Sequence, residues 1–438
     1  MINRKVKFSR AVLYWAAALF LISTTYVRAD LAWEHKLTDP NGVAGDSFGS
    51  SVSISGDLCV IGSPADDDNG ADSGSAYIFR FDGSDWVPEA RLTASDGSSW
   101  DLFGISVSLD GYTCLIGAHG DDDNGDHTGS AYIFRYNDPN WAQEAKLTAF
   151  DGTQDDEFGT SVSVSGNRCV IGARGDDDNG DGSGSAYVFR FDGQNWGYDS
   201  KLLASDGRAG DLFGSSVSIS GDLCIAGAKF DDDNGDKSGS AYIFRYADPN
   251  WIQEAKLLPS EGEAEDFFGG SVCLDGNLCI VGAHGNDDRG EHTGSAYAFR
   301  FADPNWVQEA KLTASDGGAW DSFGWSVAVS GDIGAVGAYM DNYIASEAGS
   351  AYIFRFADGN WDQEIKLAGV DPAEHDHFGW SLSLDFDNVL VGAIRKNNYT
   401  GAAYTFRPCP VADFTGDCFV NVEDFAVLAA EWLRGEAF

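Results

Sequence analysis

Residues 101–148 read DLFGISVSLDGYTCLIGAHGDDDNGDHTGSAYIFRYNDPNWAQEAKLT, and close copies of this stretch recur along the chain. The Phe-Gly pairs begin every 55 residues, at Phe48, Phe103, Phe158, Phe213, Phe268, Phe323 and Phe378. A Gly-Ser-Ala-Tyr segment follows in each copy and is shortened to Gly-Ala-Ala-Tyr at residues 401–404. Seven unbroken copies at one period indicate a repeat architecture.

Each copy contains four short apolar runs separated by turn residues; in the stretch above they are 105–109, 113–117, 130–136 and 141–148. Val107 and Leu109 alternate with serines, which is the periodicity of a β-strand. Gly56-Asp57 and Asp110-Gly111 suit tight hairpin turns between the first two runs. Four antiparallel strands in each of seven copies predict an all-β fold, a seven-bladed β-propeller.

The two ends of the repeat array predict how the ring closes. The tryptophan of the fourth strand first occurs at Trp33, before any Phe-Gly, and no fourth strand follows Tyr404. Seven complete blades therefore require the strand at residues 32–38 to pair beside residues 402–407. Such closure removes the open sheet edges that promote aggregation.

The composition restricts the possible partners. The 438 residues carry a net charge of -41, yet 43% are apolar and 13% aromatic, so the acid lies on the surface of a folded body. That surface repels nucleic acid and anionic lipid and attracts metal cations and basic partners.

The first 29 residues resemble a secretory signal. Arg4, Lys5, Lys7 and Arg10 precede a short apolar run at residues 11–22, and residues 27–29 offer a small-residue cleavage site. We therefore expect a secreted protein, extracellular or at the cell surface, with no membrane insertion after removal of the signal. We also expect a monomer.

The repeat resembles the FG-GAP repeat of the integrin alpha-subunit propeller over about residues 31–407, and we place the propeller domain at 30–407. The resemblance rests on 91–97 (Arg-Leu-Thr-Ala-Ser-Asp-Gly), Phe103-Gly104, Gly117-Ala118, the Asp-Asp-Asp-Asn-Gly of 121–125 and the Gly-Ser-Ala-Tyr of 129–132. It implies a propeller used for adhesion or ligand binding. Integrin blades often hold calcium between the first two strands; here that place is a bare hairpin, Ser55-Gly56-Asp57, so that site does not carry over.

The C-terminal tail, 413–438, follows a linker at 408–412 that begins Pro-Cys-Pro. Its first twelve residues place oxygen ligands at the spacing of a calcium loop: Asp413, Thr415, Asp417, the carbonyl of Phe419, Asn421 and Asp424. A short apolar helix is expected after it, and the whole resembles one dockerin repeat, which implies Ca²⁺ and a protein partner. Dockerins carry two such repeats, and Cys418 stands where glycine is usual. The alternative is a solvated acidic turn that caps a helix.

The eight cysteines divide into five at one repeat position, one elsewhere in the propeller and two near the tail. Cys59, Cys114, Cys169, Cys224 and Cys279 share one repeat position, too far apart between blades for disulfides, and we expect small buried apolar residues there. Cys273 is expected to be free. Cys409 and Cys418 flank the start of the calcium loop and form the one plausible disulfide.

Acidic loops join the second and third strands on one face of the ring, the face that also carries the loops leading into Phe-Gly. Calcium is one interpretation, with ligands Asp66, Asp68, Asp121, Asp123, Asp176, Asp178, Asp231 and Asp233. The other is that Asp and Asn serve turn geometry. The Asp two residues before each Phe-Gly phenylalanine, such as Asp101, is expected to accept hydrogen bonds from loop amides.

Blades six and seven depart from the repeat, and such departures are candidate sites. Tryptophan follows Phe-Gly only there, and their loops lose the triple Asp; the resulting candidate ligand-binding residues are Trp325, Trp380, Tyr339, Tyr343, Arg395, Lys396 and Tyr399. Aromatic rings beside cations could stack on sugar or clamp a peptide carboxylate. The alternative is packing that compensates for the changed loops.

The sequence favours a binding or adhesion protein that recognises a protein or glycan ligand on the acidic loop face. The first alternative is a structural component of an extracellular or envelope assembly docked through the tail. The second is a propeller polysaccharide hydrolase or lyase. An enzyme is not expected, because the seven histidines are scattered and no Ser-His-Asp or Cys-His set stands apart from the repeat.

Overall fold

The computed structural model describes residues 31–408, which form seven four-stranded sheets. Strands that follow one another in the chain within a sheet pair antiparallel, for example β6 with β7. The seven-bladed all-β propeller predicted from the repeat is therefore confirmed. The signal at 1–29, nearly all of the linker and the tail at 413–438 lie outside the described residues. Within residues 31–408, no helix is both long and apolar enough to cross a membrane.

The strands are numbered in chain order. Blades one to three consist of β2 Val52–Ser55, β3 Leu58–Ser63, β4 Ser75–Phe81 and β5 Trp86–Leu92; β6 Ser106–Asp110, β7 Thr113–Ala118, β8 Ser130–Asn137 and β9 Asn140–Leu147; β10 Phe158–Ser165, β11 Arg168–Ala173, β12 Ser185–Phe191 and β13 Trp196–Leu202. Blades four to six consist of β14 Phe213–Ser220, β15 Leu223–Ala228, β16 Ser240–Ala247 and β17 Asn250–Leu257; β18 Ser271–Asp275, β19 Leu278–Ala283, β20 Ser295–Ala302 and β21 Asn305–Leu312; β22 Ser326–Ser330, β23 Ile333–Ala338, β24 Ser350–Ala357 and β25 Asn360–Leu367. Blade seven consists of β26 Phe378–Asp385, β27 Asn388–Ala393, β28 Ala402–Pro408 and β1 Leu31–Leu37.

Blade seven closes the ring as the array ends predicted. Its sheet order is β1-β28-β27-β26, so the first strand of the described chain hydrogen-bonds to the last. Leu37 of β1 is 4% exposed and belongs to the same buried cluster as Phe48 and Tyr77 of blade one. The closing strand therefore contributes to the core between blades seven and one.

The first strand of each blade faces the axis of the ring, where all seven line a central cavity of about 580 Å³. Ser106 at the start of β6 donates a 2.8 Å hydrogen bond from Oγ to the carbonyl of Gly159 in the next blade. The same bond recurs between all seven neighbouring blades, and Ser381 makes it to Gly49 across the closure. A Cβ on Gly117 of β7 would lie 2.0 Å from that Gly159 oxygen, so only glycine permits the approach.

The core lies between blades and is built from the repeat's aromatic residues. Phe103 is fully buried and meets Tyr132 edge to face at 5.4 Å between ring centroids. It shares one cluster with Val60 and Ile78 of the preceding blade. The five repeat-position cysteines are fully buried, as expected, and Cys273 is free and half-buried.

Candidate functional site

The acidic loops lie on the same face as the loops leading into Phe-Gly, as predicted: the amide of Gly120 donates to the carbonyl of Asp101. Asp121 is 3% exposed, and its carboxylate accepts a 2.7 Å hydrogen bond from the Tyr132 hydroxyl. Its other oxygen accepts the backbone N–H of Asp123 at 3.1 Å, which is an Asx-type turn contact. The first aspartate of the loop thus helps to shape the turn.

A basic residue of the fourth strand lies between the carboxylates of each such loop, a lysine in blades two to four and Arg91 in blade one. Lys146 Nζ is 2.9 Å from Asp96, 2.9 Å from Asp121 and 2.6 Å from Asp123. Burial lowers the pKa of this ammonium. The hydrogen bonds with the three carboxylates raise the pKa by more than burial lowers it, so the pKa lies above its usual range. The ammonium therefore stays charged at neutral pH.

The equivalent residues repeat this arrangement, and the structure brings each predicted pair of calcium ligands to a protein cation. The pairs are Asp66 and Asp68 at Arg91, Asp176 and Asp178 at Lys201, and Asp231 and Asp233 at Lys256. Each of Lys146, Lys201 and Lys256 meets three carboxylates, so each group keeps a negative charge. Calcium binding at these loops stays a prediction.

Blade seven reverses the charge at this position. Lys396, a predicted ligand-binding residue, replaces the buried aspartate and is 3% exposed. Its Nζ lies 2.7 Å from Asp376 and also donates to the carbonyl of Asp371. The ammonium is directed into the protein, where it ties the loop to the segment before Phe378.

The aspartate before each Phe-Gly accepts a loop amide in all seven blades, as expected. In blade two the amide of Ser98 donates to Asp101 at 2.7 Å. Burial, and more weakly the negative charge of the acidic loop, raise the pKa of Asp101, Asp211 and Asp321 to about 6. These carboxyls therefore gain a proton at a pH well above the usual range for aspartate.

Three of the candidate ligand-binding residues form one aromatic group. The ring centroid of Trp325 is 4.7 Å from that of Tyr339 and 4.9 Å from that of Trp380, and Tyr339 and Trp380 are 5.1 Å apart. Tyr339 is 8% exposed, whereas both tryptophans are only half-buried. The aromatic residues by which blades six and seven depart from the repeat thus lie together on one surface.

A buried histidine joins this group to Arg395. His377 is fully buried, and its ring centroid lies 5.0 Å from that of Tyr339. The Nε2 atom of His377 lies 3.2 Å from Nη1 of Arg395. Burial, and next the charge of Arg395, lower the pKa of His377. We call Trp325, Tyr339, His377, Trp380 and Arg395 the aromatic patch. His377 was not predicted from the sequence. The signal that could have identified it is a histidine directly before Phe-Gly, where other blades carry residues such as Leu102.

Tyr399 lies beside the aromatic patch, whereas the structure shows no contact of Tyr343 with it. The Tyr399 ring is 5.1 Å from the Arg395 guanidinium, and the Tyr343 ring, 66% exposed, lies 4.1 Å from Lys366 Nζ. The one helical segment within residues 31–408, α1 Lys396–Tyr399, has positive φ at its last three residues, 53°, 60° and 65°. Two of these are asparagines, which tolerate the left-handed conformation better than most residues. The turn presents Tyr399 to solvent.

A second feature extends from Trp325 toward blades four and five. His284 stacks on Phe267 at 5.1 Å and meets Trp325 edge to face at 5.0 Å. These three residues, with Lys229, Phe230 and Gly270, line a cavity of about 290 Å³, which we call the Lys229 cavity. None of these residues except Trp325 was predicted from the sequence as part of a site.

Comparison with known families matches seven copies of the FG-GAP repeat, at residues 33–79, 86–134, 141–189, 196–244, 251–299, 306–354 and 361–406. The chain belongs to the FG-GAP repeat family. Each family match begins at the fourth-strand tryptophan and ends within or at the end of the next blade's third strand, so the FG-GAP unit spans two neighbouring blades. A search of curated proteins gave no match.

Proposed function

We propose that this FG-GAP protein is secreted or displayed at the cell surface and binds a protein or glycan ligand at the aromatic patch. An FG-GAP propeller is consistent with ligand binding or adhesion. The observation that carries the proposal is the convergence of Trp325, Tyr339 and Trp380, whose ring centroids lie within about 5 Å of one another. Half-exposed tryptophans supply flat apolar area for a sugar ring or an apolar side chain.

Charge supports the same surface. Arg395 faces the imidazole of His377, whose Nε2 also lies 3.3 Å from Oε2 of Glu347, and Arg395 itself makes no ion pair among the described residues. Most other described lysines and arginines pair with Asp or Glu, as Lys146 and Lys366 do. An arginine without a carboxylate partner is suited to a carboxylate or hydroxyl group of a ligand.

The experiment is a screen of the full-length chain on immobilised glycans and envelope extracts, with and without a chelator. Trp380→Ala and Arg395→Ala should each weaken retention of the ligand found, by about tenfold for loss of one anchor. Trp100→Ala is the matched control, because Trp100 is 59% exposed on the same face in blade two and lies outside the patch. Equal retention of all three variants would refute the patch as the contact region. Turnover of a glycan would favour the hydrolase or lyase instead.

We further propose that Ca²⁺ binds the tail loop at Asp413, Thr415, Asp417, Phe419, Asn421 and Asp424, and that the tail docks a protein partner. Calorimetric titration of the full-length chain should give heat that Asp413→Ala removes. No heat in the wild-type chain would exclude the site. Light scattering tests the expected monomer.

A further inference from the structure

The Lys229 cavity combines a positive charge without a partner and an aromatic wall. Within residues 31–408, the Lys229 ammonium makes no hydrogen bond or ion pair, and the centroid of the Phe230 ring lies 5.2 Å from its Nζ. Lys237 lies on the same ring at 5.7 Å and is likewise without an ion pair. The chain has 69 acidic and 28 basic residues, so two neighbouring lysines without an ion pair depart from its general excess of carboxylates.

Burial disfavours the charged form of Lys229. Lys229 is half-buried, and desolvation, followed by the charge of Arg174, lowers its pKa. The charge of Glu157 acts in the opposite direction on the pKa of Lys229, but within residues 31–408 the ion pair of Glu157 is with Arg174. A desolvated ammonium without a direct ion pair gains much from an arriving anion, because the cost of desolvation is already met in the free protein.

His284 adds a second polar group without a partner. Its Nδ1 is buried and makes no hydrogen bond in the described part of the chain, and it lies toward Gly270, where a Cβ would be 3.2 Å away. Burial, followed by the charge of Lys229, lowers the pKa of His284 to about 4, so the imidazole is neutral at pH 7. A neutral imidazole offers one donor or acceptor without adding charge.

We propose that the Lys229 cavity binds the carboxylate of a uronic acid residue in a glycan. The carboxylate pairs with Lys229, a ring hydroxyl reaches His284, and the sugar ring lies against Phe230, Phe267 and Trp325. A volume of about 290 Å³ is at the lower end of small-ligand pockets, near 300 Å³, and holds one sugar ring rather than a length of peptide. Trp325 also belongs to the aromatic patch, so the cavity supplies a specificity subsite beside it.

This inference rests on the proposed function in one respect, that the glycan continues from the cavity onto the patch. The negative charge of the protein restricts which glycans can bind. A net charge of -41 repels a polymer with many carboxylates, so a glycan with one terminal uronic acid fits better than a polyuronate.

The test is binding of D-glucuronate to the full-length chain by saturation-transfer NMR and titration, with D-glucose and N-acetylaspartate as comparison probes. We expect glucuronate to bind and glucose to bind at least about tenfold more weakly, since a charge-assisted hydrogen bond is lost. Lys229→Met should weaken glucuronate binding about tenfold or more, and Lys229→Arg should retain most of it. Arg208→Gln is the control, because Arg208 is an exposed basic residue of the same blade without a side-chain partner in residues 31–408.

Several results overturn the inference, and they differ from failure of the proposed function. Absent glucuronate binding, equal binding of glucose, or an unchanged Lys229→Met variant each removes the subsite. Tighter binding of N-acetylaspartate assigns the cavity to a peptide carboxylate and also overturns it. If Trp380→Ala abolishes binding of a screened ligand while Lys229→Met does not, the patch stands and the cavity fails. If glucuronate binds through Lys229 although Trp380→Ala has no effect, the cavity stands alone.

Discussion

Individual aspartates on the loop face have opposite electrostatic environments, although the sequence shows only an excess of acid. Asp96 shares the Lys146 ammonium and accepts the Tyr132 hydroxyl, and its pKa is lowered because these hydrogen bonds outweigh burial. Asp101 accepts one loop amide, and burial raises its pKa to about 6. One carboxyl favours the charged form and the other the protonated form.

The raised pKa values of Asp101, Asp211 and Asp321 contribute to the unfolding free energy a part that rises as the pH falls from 7.5 to 5.5, opposite in sign to the part from the buried histidines His284 and His377, whose pKa values are lowered. The folded-state pKa of Asp101, about 6, exceeds the unfolded value of 3.8, so the folded state binds the proton more tightly. Asp101→Asn should stabilise the protein by about 1 kcal/mol at pH 7.5 and have little effect at pH 5, as measured by urea unfolding. Asp96→Asn, the control, should destabilise it at pH 7.5. An Asp101→Asn effect independent of pH would contradict this account.

Lys146→Met tests whether the lysine occupies the place of a metal cation. The variant leaves Asp96, Asp121 and Asp123 without their ammonium, and we expect a loss of about 3 kcal/mol at pH 7.5. Millimolar Ca²⁺ should restore part of this loss, because three converging carboxylates suit a hard cation. Sodium chloride of equal ionic strength is the control. If Ca²⁺ stabilises wild type and variant equally, the ammonium does not occupy the cation's place.

Among the elements, the closing strand β1 makes the strongest prediction. Leu37 occupies the repeat position of Leu92 in β5, and both are 4% exposed. Leu37→Ala and Leu92→Ala should therefore cost similar unfolding free energy, about 2–5 kcal/mol each, in denaturant titrations. A neutral Leu37→Ala beside a costly Leu92→Ala would show that β1 does not pack as an integral strand.

The strands were predictable and much of the site was not, for a physical reason visible in particular elements. The alternation in β6 and the Phe-Gly period are local signals repeated seven times, so they establish strand, blade and closure together. The side chains that meet across blades, such as His284 with Trp325 and His377 with Arg395, follow no period. The sequence singled out the tryptophans and the tyrosine that meet across blades six and seven. It did not reveal that Lys396 is buried in an ion pair.

At the scale of the whole molecule, the closed ring couples every blade to two neighbours. Each core cluster draws residues from adjacent blades, as Val60 and Phe103 show, and the serine-to-glycine bond recurs at every interface. An open repeat array can unfold from its ends, whereas this ring has no end blade. Opening one blade exposes the faces of both its neighbours, so we expect the ring to unfold as one unit.

The buried cysteines provide five internal probes of this cooperativity, one in each of blades one to five: Cys59, Cys114, Cys169, Cys224 and Cys279. Burial raises the pKa of Cys114 and its equivalents Cys169, Cys224 and Cys279 above the usual range, so they should resist a thiol reagent in the native protein at pH 7.5. In denaturant, peptide-resolved mass spectrometry should find one labelling rate for all five. Leu37→Ala should raise that rate equally at Cys59, beside the closure, and at Cys224, across the ring, because weakening one interface lowers the barrier for the whole ring. Faster labelling at Cys59 alone would mean that the ring opens at its seam and that the blades unfold in sequence.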